Sequence, residues 1–160
     1  MIKITILCVG KLKEEYWRQA CAEYSKRMTR FADFSIIEVN EERMPDEPSQ
    51  AQIENTLRKE GERLIAKMPS GSAVIPMCIE GRQYDSPSLA AEIEDLASAG
   101  YSHIFFVIGG SWGLSDEVKK CAKIKLSMSK MTFPHQLARV MLCEQIYRAF
   151  QINGGGKYHK

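Results

Sequence analysis

The residues best suited to chemistry are gathered in the segment from 154 to 160. After three glycines, three successive residues carry an aromatic ring, an imidazole and an ammonium: Tyr158, His159 and Lys160. Such groups can stack on a nucleobase, accept or shuttle a proton, and pair with a phosphate. Chain ends usually fray, so a mobile tail without such a role is the alternative interpretation.

A second candidate segment lies between a predicted strand and a predicted helix. Its polar and soft apolar side chains are suited to wrapping an adenine-bearing ligand; they are Met128, Ser129, Lys130, Met131, Thr132 and Phe133. His135 follows in the first turn of the helix, where local hydrogen bonding is the simpler role. Arg139 and Arg148, on the same helix, are candidates for phosphate or base contacts, with solvated surface charge as the default.

A glycine-rich loop follows the most apolar predicted strand. Three of the five residues from 109 to 113 are glycines, which allows a ligand to approach the backbone closely. The spacing matches neither the dinucleotide-binding fingerprint nor the phosphate-binding P-loop. A plain tight turn therefore remains an alternative.

Cysteine usage and hydropathy exclude several classes of protein. The five cysteines are widely spaced and form no Cys-x-x-Cys or Cys/His cluster, which argues against a disulfide framework and against a metal site. No apolar run approaches membrane-spanning length, and the first residues lack a signal-peptide pattern. We therefore expect a soluble cytoplasmic protein with no metal and no membrane partner.

Charge is segregated along the chain although the formal net charge is only +2. Residues 1–30 contain seven Lys or Arg against three acidic residues, and residues 101–160 contain nine against three. The middle of the chain is acidic. This pattern indicates a positive face built from the two ends, which suits a polyanion such as RNA, although solvated helix faces are the alternative.

Hydrophobic periodicity predicts strands at 2–9, 35–39, 73–79, 104–108 and 125–128, alternating with helices. We place helix starts at a capping box of Ser49 with Gln52, at Ser86 followed by Pro87, and after Ser115. Pro76 indicates an edge, a bulge or the end of regular pairing. The order predicts one α/β domain over residues 1–160, with a mainly parallel sheet, helices on both faces, and ligands at the carboxyl ends of the strands.

Taken together, these segments resemble the ribosomal RNA large subunit methyltransferase H family of the SPOUT superfamily. The likeness lies in residues 4–27, in Phe-Val-Ile-Gly-Gly-Ser-Trp-Gly-Leu at 106–114, in residues 126–150, and in the final Tyr-His-Lys. It extends over essentially the whole chain. Trp112 is bulkier than the usual family residue, and Met77 stands where leucine is common.

The resemblance implies a deep C-terminal trefoil knot, a homodimer, and methylation of N3 of a pseudouridine in helix 69 of 23S ribosomal RNA within the assembled ribosome. S-adenosylmethionine is the implied cofactor. The implied cofactor contacts are Met77, Gly109 and the run from Met128 to Phe133. Arg139, Tyr158 and His159 are assigned to catalysis and substrate handling, and His135 and Lys160 to substrate binding.

A non-catalytic, ribosome-associated RNA-binding factor is the alternative function. It would account for the basic chain ends, but it would not need a cofactor pocket after the strands.

Overall fold

The computed structural model describes all residues from 1 to 160, and ten elements alternate along the chain. They are β1 (Lys3–Val9), α1 (Glu15–Met28), β2 (Asp33–Val39), α2 (Gln50–Ile65), β3 (Ala73–Gln83), α3 (Ser86–Ser98), β4 (His103–Ile108), α4 (Asp116–Lys120), β5 (Leu126–Ser127) and α5 (His135–Asn153).

The five strands form one sheet in the order β2-β1-β4-β3-β5, and every neighbouring pair is parallel. Parallel neighbours need crossover connections, which the helices between the strands supply. The predicted α/β class with a mainly parallel sheet is confirmed. The knot stays a prediction.

Side chains alternate across the sheet and build a core on each face. In β1, Ile4, Ile6 and Cys8 belong to a cluster of 21 buried residues, to which residues of α1, α3 and α5 also contribute. Leu7 and Val9 belong to a cluster of nine on the other face, together with residues of α2 and α4. Helices on both faces explain why β4 is almost entirely apolar.

Two of the three predicted helix caps are confirmed, and the third cap lies one residue earlier than predicted. Ser49 and Gln52 form the predicted capping box, and Ser115 accepts a hydrogen bond from the Val118 amide. The cap of α3 is Asp85 rather than Ser86, because the Asp85 carboxylate accepts from the Ser88 amide. The helix therefore begins one residue before the predicted cap allows, with Ser86 in its first turn.

Pro76 marks the point where β3 leaves its regular partner. Its pairing with Val107 is the last in the β3–β4 register. Beyond it, β3 pairs only with the two-residue β5, and the register shifts between Met77 and Arg82. Proline lacks the amide that a ladder requires, so of the three predicted alternatives the end of regular pairing with β4 is the one found, directly before Met77.

Candidate cofactor and substrate site

A cavity of about 940 Å³ opens at the carboxyl ends of β3, β4 and β5. Its wall is formed by residues 77–80 of β3, beyond the pairing of β3 with β4, by the segments around the ends of β4 and β5, and by Lys119 of α4. Ligand sites in open parallel sheets lie at this edge, and cavities of roughly 300–1,000 Å³ hold small molecules. The volume therefore suits a ligand of nucleoside size or larger.

Seven of the eight predicted cofactor contacts line this cavity: Met77, Gly109, Met128, Ser129, Met131, Thr132 and Phe133. Lys130 is not among the lining residues. His135, predicted to bind substrate, also lies on this wall. Three segments that are distant in sequence thus meet in one place.

The glycine-rich loop is both a tight turn and part of the cavity wall. Gly110 and Gly113 form an antiparallel bridge, and the Gly113 amide donates to the Gly110 carbonyl at 3.1 Å. A Cβ on Gly109 would lie 2.2 Å from the Gly113 oxygen, and Gly113 itself has a φ of +87°. Glycine is therefore required at both positions for the loop to fold back on itself.

The segment after β5 is shaped by hydrogen bonds to its own serines. The Ser127 hydroxyl donates to the Ser129 carbonyl at 3.1 Å, and the Met131 amide donates to the Ser129 hydroxyl at 3.0 Å. These local bonds define a turn, which leaves the Met131 side chain exposed at the rim. Ile79 and Trp112 are exposed on the same wall, so the rim is apolar.

His135 begins α5 at the inner side of the cavity. Burial lowers its pKa below the ordinary value, and the nearby guanidinium of Arg139 lowers it further. The imidazole is therefore neutral near pH 7 and can accept or donate a hydrogen bond.

Arg139 is not the accessible charge that the sequence suggested. Its side chain is 2% exposed, and its Nη1 donates to Oε2 of Glu38 at 2.6 Å. Its Nη2 donates to the Gly10 carbonyl at 3.2 Å, while its buried Nε has no partner. The default interpretation of a solvated surface charge is therefore wrong: Arg139 joins α5 to the carboxyl ends of β1 and β2, and its role in substrate handling stays a prediction.

A second arginine on α5 holds the tail. Nη1 of Arg148 donates to Nδ1 of His159 at 3.2 Å, and its guanidinium stacks over the ring of Tyr158 at 4.6 Å. Glu144, one turn earlier, accepts from Arg148 at 2.7 Å and from the Tyr158 hydroxyl at 2.7 Å. The predicted pair Tyr158 and His159 is thus assembled with Arg148, whereas Lys160 is exposed.

Electrostatics in this cluster keep Tyr158 protonated. Its hydrogen bond to Glu144, together with burial, raises the pKa of the phenol. Burial acts to raise the pKa of Glu144, but hydrogen bonds from Tyr158, Tyr24 and Arg148 outweigh it, and that pKa is lowered. Tyr158 is therefore a hydrogen-bond donor at neutral pH and not a base.

The tail lies beside a second, smaller cavity of about 480 Å³. His159 lines it together with Tyr84, Met141 and Gln145. The two cavities share the β5 residues Leu126 and Ser127 and also Met128. No tail residue lines the larger cavity, so within one chain the tail cluster and the cavity are neighbours separated by β5.

Sequence reasoning missed the acidic partners of the site. Glu144 and Arg148 are four residues apart on a helix, a spacing that favours an ion pair and was available from the sequence. Glu38 is separated from Arg139 by about a hundred residues, and no local pattern connects them. Glu80 and Lys119, which also line the larger cavity, were missed for the same reason.

No group of three or more His, Cys, Asp or Glu residues is arranged to hold a metal ion. None of the helices combines the length and the apolar character needed to span a membrane. α1 packs against α5, so the basic segments at the two ends of the sequence are adjacent in the fold.

Comparison with known proteins identifies relatives along the whole chain. A family model described as "Predicted SPOUT methyltransferase" matches residues 2–159. Proteins named ribosomal RNA large subunit methyltransferase H from Lactiplantibacillus plantarum, Exiguobacterium sp. and Ruminiclostridium cellulolyticum are each 50% identical over 159 residues, covering 99% of this chain and 100% of each relative.

A solved structure is similar in fold. It is described as a probable methylase family protein from Haemophilus influenzae, with a TM-score of 0.54 and 15% sequence identity. The match covers 98% of this chain and 70% of that one.

Proposed function

The chain belongs to the ribosomal RNA large subunit methyltransferase H family of SPOUT methyltransferases, and on that premise we propose that it methylates N3 of a pseudouridine in helix 69 of 23S ribosomal RNA. The methyl donor is S-adenosylmethionine and the substrate is the assembled ribosome. The main support is the convergence of three separate strand-end segments on one cavity that contains seven predicted cofactor contacts.

The cavity fits the methyl donor in size and in chemistry. Soft side chains such as Met77 and Met128 suit the adenine face and the sulfur, and the Gly109 backbone allows close approach. When bound, S-adenosylmethionine supplies a methyl group on an electrophilic sulfonium. The main task of the protein is therefore to align that group with its acceptor.

The tail cluster handles the nucleotide. Arg148 provides charge for a phosphate or a base edge, and the Tyr158 phenol is a donor that stacks or hydrogen-bonds. Lys160 is exposed and free to pair with phosphate, and His135 approaches from the cavity wall. Arg139 acts as a positioning residue, since its guanidinium is buried against Glu38.

The acceptor nitrogen must lose its proton during transfer, and His159 or a water that it orients takes it. Arg148 donates to Nδ1 of His159, so Nε2 bears the proton in the resting arrangement. Nδ1 becomes available only when Arg148 turns to the substrate. Nucleotide binding therefore frees Nδ1 of His159 to accept the proton.

The active enzyme is a homodimer. The tail of one chain does not line its own larger cavity, and that cavity has an apolar rim of Ile79, Trp112 and Met131. A second copy covering this rim would bury apolar surface and bring its own tail to the cavity. The proposal also includes a C-terminal trefoil knot, which is the arrangement that the family resemblance implies for the three loops.

The direct test is to incubate the protein with assembled ribosomes and donor labelled in the methyl group, then map the labelled nucleotide. We expect label on one pseudouridine of helix 69. Label only on isolated RNA, or only on the protein itself, would contradict the proposed substrate.

The role of His159 is tested separately with H159A. We expect methyl transfer to fall by roughly 100-fold, the order expected for loss of a general base, while donor binding is unchanged. Transfer by H159A close to that of the unmodified protein would remove His159 from this role.

A non-catalytic RNA-binding factor is distinguished by calorimetry. Titration with S-adenosylmethionine should give a saturable heat with one donor per cavity. Absence of that heat, with ribosome binding retained, would favour the binding factor. The proposed location is the cytoplasm, where ribosomes assemble.

A further inference from the structure

One ion pair on the wall of the larger cavity has no part in the proposed roles so far. Oε1 of Glu80, in the outer part of β3, lies 2.7 Å from Nζ of Lys119 at the end of α4. Both residues line the cavity. The pair joins two elements that are separated along the chain by α3 and β4.

We infer that Glu80 and Lys119 bind the amino acid end of the methyl donor, Lys119 pairing with its carboxylate and Glu80 with its ammonium. This inference rests on the proposed function, because it names how one part of the proposed donor is recognised.

Charge complementarity is the first argument. Among the 23 residues that line the cavity, Glu80 and Lys119 are the only Lys, Arg, Asp or Glu. The amino acid end of the donor is a zwitterion, and each of its charges needs an opposite charge when it leaves water. This wall offers one partner of each sign, side by side.

The second argument is that both side chains of the pair are charged and accessible. The Glu80 side chain is 55% exposed and that of Lys119 is 26% exposed, so both can accept a further partner. The hydrogen bond from Lys119 lowers the pKa of Glu80, and the same bond raises the pKa of Lys119. Both groups are charged at neutral pH, and an exposed pair of this kind adds little to folding.

The test compares two ligands that differ only in the amino acid end. S-adenosylhomocysteine retains it, and 5′-methylthioadenosine lacks it. Calorimetric titration of the full-length protein with each ligand gives an affinity ratio that isolates recognition of this end. We expect the unmodified protein to bind S-adenosylhomocysteine at least about tenfold more tightly, the order of one charge-assisted hydrogen bond.

Variants E80Q and K119M should each lower that ratio several-fold, with the affinity for methylthioadenosine unchanged within about twofold. Matched controls are E117Q and K120M, which alter exposed residues of α4 that do not line the cavity. The controls should leave the ratio as it is.

A charge-swapped variant, E80K/K119E, separates ligand recognition from a structural role. It can re-form the ion pair while exchanging the positions of the two charges. If the pair only braces β3 against α4, the swap restores the ratio that the single variants lose. If the pair binds the ligand, the ratio stays low although the swapped protein unfolds at the temperature of the unmodified one.

The outcomes are distinct. An equal affinity of the unmodified protein for the two ligands, or a ratio unaffected by E80Q and K119M, overturns the inference and leaves the proposed function intact. Absence of binding by both ligands to the unmodified protein overturns the donor assignment, and the inference with it.

Discussion

Arg139 and Arg148 are nine residues apart on the same helix, yet they lie in opposite environments. Arg139 is 2% exposed and is held by Glu38 and the Gly10 carbonyl. The Arg148 side chain is 24% exposed and contacts Glu144 and the tail residues Tyr158 and His159. One guanidinium joins elements of the fold, and the other assembles groups that can meet a nucleotide.

The comparison shows that side-chain type does not assign a role to either arginine. A buried guanidinium must be paired, because an isolated charge away from water is very costly. A guanidinium at the surface can exchange one partner for another at little cost, which suits substrate handling. The difference comes from the neighbours of each residue: Arg139 faces the ends of β1 and β2, whereas Arg148 faces the C-terminal tail.

The largest expected effect is on folding at the Arg139 end. R139A removes the ion-pair partner of Glu38 and opens a cavity, so we expect the free energy of unfolding to fall by about 3 kcal/mol or more. Urea unfolding followed by circular dichroism measures it. The matched change R148A should cost about 1 kcal/mol, because its pair with Glu144 is nearer to water. Equal losses of unfolding free energy in R139A and R148A would contradict the distinction between a structural and an accessible arginine.

The next effect is on activity at the Arg148 end. Loss of charge-assisted contacts to the nucleotide and of the bond to His159 should reduce methyl transfer by R148A roughly 10- to 100-fold. Donor affinity, measured by calorimetry, should not change. R58A, an exposed arginine on α2, is the matched control. Weaker donor binding by R148A would contradict the assignment of the tail cluster to the nucleotide and not to the methyl donor.

A smaller effect is expected from Y158F, which removes one hydroxyl. The ring keeps its edge contact with Tyr147 at 4.9 Å, but the hydrogen bond to Glu144 is lost. A hydrogen bond to a charged group contributes about 1.5 kcal/mol or more, so transfer should fall about tenfold. Hydrogen exchange in residues 157–160 should become faster. Unchanged exchange would mean that the tail is not held through this hydroxyl.

The smallest effect is a pH dependence that differs between the two ends of α5. Burial, assisted by Arg139, lowers the pKa of His135 below 6.5. The unfolded chain then binds more protons than the folded one, so stability declines as the pH falls through 6.5 and the lower folded value. Burial also lowers the pKa of His103, so H135Q should remove only part of this slope.

At the tail end, the pH dependence of stability is that of a carboxyl group, Glu144, whose pKa is lowered in the folded protein. The pKa of Glu144 is below its ordinary 4.5, so its contribution is present above that pH and is lost as the pH falls through the folded value. Unfolding free energies of H135Q and E144Q measured at about pH 7, 6, 5, 4 and 3 separate the two contributions, because the Glu144 contribution is lost only at the acidic end of this range. A loss specific to Glu144 at the higher end of this range would contradict the assigned direction.

Much of the fold could be predicted from local patterns. Alternating apolar strands, the Ser49 capping box and the glycine turn after β4 each depend on neighbours within a few residues. Pro76 also acts locally, since its missing amide ends pairing with β4. The strand at 125–128 was predicted too long, because only Leu126 and Ser127 find a partner in β3.

The candidate site was predictable to a different degree in its two parts. Parallel strands end at the same edge of a sheet, which predicts a ligand site there, and seven of the residues that the family resemblance implied for the cofactor line the cavity at this edge. The ion-pair partners of the charged residues could not be predicted from the sequence. Glu38 with Arg139, and Glu80 with Lys119, are pairs whose members meet only after the sheet has formed.

By itself, the sequence determined the family, the alternation of strands and helices, and the edge of the sheet where the cavity opens, because periodicity, caps and motifs depend on short stretches of sequence. Only the tertiary structure decided which arginine is buried, which groups share a cavity, and that Arg148 rather than Arg139 accompanies Tyr158 and His159. Burial and ion pairing depend on surfaces contributed by residues far apart in the chain, and no local pattern specifies them.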